Sequence, residues 1–393
     1  MSRLILAAVV VMAWLAPAGA AETLTVAYLE LRDDSRYDVG RMEARAHGQP
    51  WGRPYAGAEV AAREVRFPLR TRDVKLAFER REAAAVDALL EQARELAGQQ
   101  VRLFLVDLPA PAVSRVAALP ELADALVFNI SAEAQPLRGE ACAANLFHLI
   151  PSLAMRMDAL AQYLVERRWQ KLLLLQGPQS ADEALGDGFR TAAERYGLRI
   201  VEQRPFVPGQ DPRAREANNL DLLTRGSGFD AIFIADADAE FAQRLPYATR
   251  APRPVVGSAG LVPEVWHWNW NNHGARQLNK RFEKHAERRM TSWDWAAWIG
   301  VKALAEAIIR TGETGTGALR AYLRGDELVL DGFQGYRLSF RPWNQQLRTP
   351  MFLGTPNWVA ARAPLEGFLH PRMDLDSLGR DAPETRCELE AGS

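Results

Sequence analysis

The chain has 393 residues, 48% of them hydrophobic and 25% charged, which is long enough for two domains with full cores. Its 48 basic and 49 acidic side chains leave a formal charge of −1, so no basic field points to nucleic acid. Two cysteines alone cannot make a structural zinc site, and no stretch is apolar for the ~20 residues that a membrane span needs.

In chain order, Arg3 precedes an apolar run over residues 4–15, and Ala18-Gly19-Ala20 supplies the small-x-small pattern of a cleavage site. Residues 1–20 therefore read as an export leader, with the mature chain starting near Ala21 or Glu22 and inserting in no membrane. In an oxidising compartment Cys142 and Cys387 are expected to pair. Short apolar runs predict strands over residues 24–29, 74–78, 101–106 and 125–130, separated by helices over 55–65 and 83–97. The pattern restarts with helices over 157–167, 183–196 and 213–224 and strands over 171–175, 198–202, 231–235 and 254–256. Buried strands alternating with amphipathic helices predict two doubly wound α/β lobes, each on its own parallel sheet. A long helix follows over 291–310, with Trp293, Trp295 and Trp298 mostly in the core, then strand-like pieces over 336–340 and 351–353 and a tail.

Parallel sheets open their crevice at the carboxyl ends of the strands. There the first series offers Glu30, Asp107, Asn129 and Ser131, and the second offers Gln176, Asp236, Asp238 and Ser258. These are the candidate ligand contacts, although each residue type also suits a turn or a cap. Trp266, Trp268 and Trp270 alternate, so an extended chain would put three indoles on one side. The strip is either an aromatic wall for a flat or apolar ligand or packing under a linker. Asp236, Asp238 and Glu240 would share one face if their strand continued, to bind a hard cation or to cap a helix. Asp374, Asp376 and Gly379 imitate the start of a calcium loop, but Leu378 and Thr385 stand where oxygen ligands belong, so the tail reads as structural. No Walker loop, Gly-x-Ser-x-Gly elbow or His-Glu-x-x-His is present, so the residues call for no cofactor and no catalytic role.

The order of elements resembles the type I periplasmic binding proteins, the group of the leucine/isoleucine/valine receptors. The likeness rests on Asn145-Leu146-Phe147 through Pro151-Ser152, the strand over 171–175, Gly186 to Tyr196, and the helix over 295–309. It implies a three-stranded hinge, a first lobe over 22–148 plus 275–331, a second over 149–274 plus 332–365, and a tail over 366–393. It also implies a small-molecule ligand and an ABC-transporter membrane permease as partners. Those receptors hold a carboxylate with hydroxyls after the fourth strand, where this chain reads Ser131-Ala132-Glu133-Ala134, and Leu185 stands where they commonly show tyrosine. The set for an amino acid is incomplete. The segments VVGSAGLVPEVW (255–266), FRPWNQQLR (340–348), EGFLH (366–370) and DLDSLG (374–379) resemble substrate-binding proteins associated with pyrroloquinoline-quinone-dependent alcohol oxidation. That likeness implies a periplasmic protein working with a membrane transporter near quinoprotein alcohol dehydrogenases, and it does not fix the ligand. The expected role is a receptor for a small organic ligand; the alternative is a periplasmic sensor or accessory protein of the same fold that binds a metal such as calcium or a lanthanide.

Overall fold

The structure is a computed structural model that describes residues 21–38, 52–208 and 212–389. The expected leader lies outside the described residues. A first sheet is built from β1 (Glu22–Leu31), α1 (Tyr55–Arg70), β2 (Val74–Ala83), α2 (Val86–Gly98), β3 (Leu103–Asp107), α3 (Ala110–Ala117), β4 (Leu126–Asn129) and β5 (Leu146–His148). Its strands are all parallel, in the order β2-β1-β3-β4-β5. All five residues of β3 are buried, as a strand covered on both faces requires. β2 is longer than its apolar run because its charged half still pairs with β1 as far as Ala83, which delays the next helix to Val86.

The second sheet collects α4 (Leu153–Glu166), β6 (Lys171–Gln176), α5 (Ser180–Arg195), β7 (Arg199–Pro205), the short helices α6 (Arg215–Asn218) and α7 (Leu220–Leu223), β8 (Ala231–Ala235) and β9 (Val255–Gly257). Its order is β7-β6-β8-β9, again parallel. Leu172 to Leu175 are wholly buried, each contributing roughly 2 kcal/mol by leaving water. The helix expected over 213–224 is broken at Asn219, whose backbone is extended and whose Oδ1 accepts from Asp221 N and Leu222 N to start α7.

The chain continues through β10 (Val262–Glu264), α8 (Ala275–Ala286), α9 (Ser292–Thr311), α10 (Thr316–Arg324), β11 (Leu330–Asp331), β12 (Arg337–Leu338), β13 (Met351–Thr355) and β14 (Trp358–Ala363). A capping box between Thr291 and Asp294 starts α9, and left-handed Gly312 ends it. α9 is buried almost all round and packs on α1, so the chain returns to the first sheet after finishing the second. Gly57 permits this contact, since a Cβ there would lie 2.0 Å from the Asp294 carbonyl oxygen. β10, β13 and β14 form a small antiparallel sheet, and β12 is only two residues long. Between β12 and β13 the backbone bonds to β5, His148 N donating to Gln345 O and Leu347 N to His148 O.

The tail is structural. Arg341 and Arg348 both donate to buried Asp376, and Gly379 N donates to Asp158 of α4. Cys142 and Cys387 form the expected disulfide. Among the described residues no helix is long and apolar enough to cross a membrane.

Candidate functional site

A cavity of about 1120 Å³ lies where the carboxyl ends of the two parallel sheets face each other. Its wall includes Ser131 after β4, Asp236 and Asp238 after β8, Ser258 after β9, and Trp266 and Trp268 after β10. The other four sequence candidates do not line it, and the physical reason differs for each pair.

Glu30 and Asp107 are wholly buried and neutralised inside the first sheet. Glu30 is paired with Arg80 and Arg53, and burial still pushes its carboxyl above the ordinary range. Asp107 accepts from Tyr37 Oη at 2.7 Å and from Arg36 Nη2 at 3.0 Å. Asn129 and Gln176 are braces. Asn129 accepts from the Ala132 amide and donates to the Ala132 carbonyl, fixing the turn that presents Ser131. Gln176 accepts from Arg190 of α5 and from Gln203.

The Ser131 hydroxyl is buried in the wall and has no hydrogen-bond partner among the described residues. Such an orphan is unusual, since leaving a buried polar atom unmatched costs about 1–3 kcal/mol. Across the cavity, Gly257 takes a positive φ, and a Cβ there would lie 2.5 Å from Ile234 O, so any side chain would collide. This turn sends Ser258 back towards β8, and its Oγ accepts from Asp236 N at 3.0 Å. The hydroxyl proton is left to donate elsewhere. Asp236 accepts from Ala242 N, and burial raises its pKa to about 6. Asp238 accepts from Gln179. The strand ends at Ala235, so Asp236, Asp238 and Glu240 do not share a strand face, and Asp236 caps the turn that follows. Among the described residues no three His, Cys, Asp or Glu side chains gather as a metal site.

The tryptophan strip is corrected too, because the chain turns over residues 265–270 instead of staying extended. Trp266 is 1% exposed, stacked on Trp295 and bonded through Nε1 to Asn279. Trp270 packs on Phe352 and bonds to Phe333 O. Of the three, Trp268 stands most openly in the wall, its Nε1 held by Pro356 O and the Arg289 guanidinium 3.5 Å above its ring.

Among the wall residues that sequence reasoning missed are Arg36, Arg156, Glu264, Arg289 and Trp293. Arg36 reaches Asp34 as well as Asp107, and its guanidinium lies over Trp293, which was expected in the core with Trp295 and Trp298. Arg156 of α4 crosses to Glu133 and to the Pro263 carbonyl. Glu264 is half-buried with its pKa raised to about 7 by desolvation, an effect that Arg156 partly opposes. Two signals were available: Trp293 follows the cap Thr291 within one turn, and Glu264 lies inside the segment 255–266.

The sequence profile of the periplasmic binding protein family matches residues 46–251, more than half of the chain. No curated protein sequence matches significantly. Among solved structures, the chain is similar to a branched chain amino acid ABC transporter periplasmic ligand-binding protein from Burkholderia xenovorans LB400. The identity is 14% and the TM-score 0.69, covering 93% of this chain and 99% of that one. An ABC transporter substrate-binding protein from Sphaerobacter thermophilus matches at 18% identity and TM-score 0.68, over 91% and 100% of the two chains. A solute binding protein of an ABC transporter from Rhodopseudomonas palustris BisB5, in complex with 3,4-dihydroxy benzoic acid, matches at 14% identity and TM-score 0.61, over 85% and 93%. At these identities the likeness is one of fold.

Proposed function

Because the chain belongs to the periplasmic binding protein family, we propose that it is an exported receptor that binds a small organic ligand and performs no chemistry on it. The carrying observation is the cavity, whose wall takes side chains from the strand ends of both parallel sheets. A ligand touching both sides has more contacts when they approach, so it favours the closed arrangement by differential affinity. An ABC-transporter permease in the membrane then reads that arrangement. In this reading residues 1–20 are the leader, the first lobe is 22–148 plus 275–331, and the second is 149–274 plus 332–365. Ser131 and Ser258, on opposite sides, are the hydroxyls offered to the ligand. The acidic and aromatic contacts are Asp236, Asp238 and Trp268.

Support for a ligand of this kind comes from the Rhodopseudomonas neighbour, whose complex holds an aromatic acid, and from the Burkholderia neighbour, a periplasmic ligand-binding protein of a branched chain amino acid ABC transporter. A link to quinoprotein alcohol oxidation rests on the resemblance of the segments 255–266, 340–348, 366–370 and 374–379. The first of these supplies the cavity residues Ser258, Glu264 and Trp266. Native mass spectrometry of protein taken from its own periplasm should reveal a retained small molecule. Adding that molecule to stripped protein should shrink the radius of gyration in small-angle scattering. A radius unchanged at saturation rules out closure.

A further inference from the structure

Three guanidinium groups line the cavity, and they are not equivalent. Arg36 is bonded to Asp34 and Asp107, and Arg156 to Glu133. Arg289 differs. Among the described residues its side chain has no carboxylate within ion-pairing distance and no hydrogen-bond acceptor; its one close partner is the Trp268 ring. Arg288 beside it is spent on Asp294, with both oxygens engaged at 2.6 and 2.7 Å. The Trp268 ring is pinned by Pro356 O, so it fixes the plane of Arg289 without offering an acceptor. His267, stacked on Trp268, adds no negative charge: its Nε2 faces Thr355 O, its Nδ1 accepts from Asn269 N, and burial and Arg289 lower its pKa.

Resting on the receptor reading above, we propose that Arg289 on its Trp268 platform is the anion-recognising residue of the cavity, and that the ligand is an organic monocarboxylic acid. A half-buried guanidinium has five N–H donors in a rigid fork, and a ring face satisfies none of them. A carboxylate is the complement, bonding to two at once. The other two cavity arginines are already neutralised, and Asp236, Asp238 and Glu264 also line the wall, so a second anionic group on the ligand would meet repulsion instead of a partner. Leu153, Met157, Leu185, Met290 and Trp293 give the ligand body an apolar surface to lie on.

The test is a thermal-shift and calorimetry screen of straight-chain, branched and aromatic monocarboxylates, each beside its matching alcohol and primary amide. Acids should bind and their neutral partners should not. Arg289→Gln should weaken the best acid about 10- to 100-fold, the range of a charge-assisted hydrogen bond, and Arg289→Lys should recover part of the loss. An alcohol or amide bound as tightly as its acid overturns the proposal while leaving the receptor reading intact. So does an acid whose affinity Arg289→Gln does not change. A retained periplasmic ligand without a carboxyl group has the same effect. No binding in the screen and no retained molecule would count against the receptor reading itself, and the proposal would fall with it.

Discussion

The two parallel sheets carry similar polar residues at their strand ends and treat them in opposite ways. In the first sheet, Glu30 and Asp107 end neighbouring strands, and arginines and a tyrosine from the following loop and from β2 close over them. In the second, no arginine of the loop after β8 pairs with Asp236 among the described residues; Asp236 is met by a backbone amide and Ser258 by another, and both stay in the cavity wall. An acidic residue at a strand end therefore belongs to a crevice only where the chain that follows leaves it unclaimed. The first sheet keeps its cavity contribution in neutral or already balanced groups, Ser131 and the Arg36 cluster.

The sharpest way to break this comparison is to delete a carboxylate from each side. Asp107→Ala should lower unfolding stability by about 3–5 kcal/mol, because it strands Tyr37 and part of the Arg36 charge in a buried site. Asp236→Ala removes one amide cap and should cost about 0.5–2 kcal/mol. Equal losses in urea denaturation would mean that the two ends are not built differently. A second contrast lies within the tryptophans. Trp266→Ala should cost about 3–5 kcal/mol of stability, as for a core aromatic. Trp268→Ala should chiefly reduce ligand affinity, by about 0.5–2 kcal/mol through a loosened Arg289. Calorimetry on both variants would catch the reverse pattern.

The smallest effect concerns pH. Glu264 is pushed up to about 7, next to Arg156 and its partner Glu133, and Asp236 to about 6. Both are acids raised by desolvation, so they gain protons and lose negative charge as pH falls from 8 towards 6. Affinity for a carboxylate should rise over that window, by at most about tenfold per pH unit for one proton. Glu264→Gln should flatten the upper half of the profile. An unchanged slope in that variant would assign the proton to another group.

The architecture was legible because the strands are short apolar runs: residues 231–235 were read to the residue. Strands with charged halves were not, and β2 continues through Glu79 to Glu82 only because β1 is there to pair with. α8 was missed because its apolar face is three residues, Ala275, Leu278 and Phe282, among charges. At the site, position along a strand identified Ser131, Asp236, Asp238 and Ser258, whereas Glu30 and Asp107 were misplaced because their partners come from elsewhere in the chain or from another strand. Arg289 carried no periodic signal at all. Its distinction is a missing partner, which only the assembled fold reveals.

The disulfide has a mechanical side. Gly379 is anchored to α4 through Asp158, and Cys387 to Cys142 just ahead of β5. The run 380–386 between them can span about 3.5 Å per step, on the order of 28 Å in all. The Arg195–Glu384 pair shortens that leash when it forms. The tail thus limits the distance that can open between α4 and the edge of the first sheet for as long as the Gly379–Asp158 hydrogen bond holds, and that limit is set by chain length.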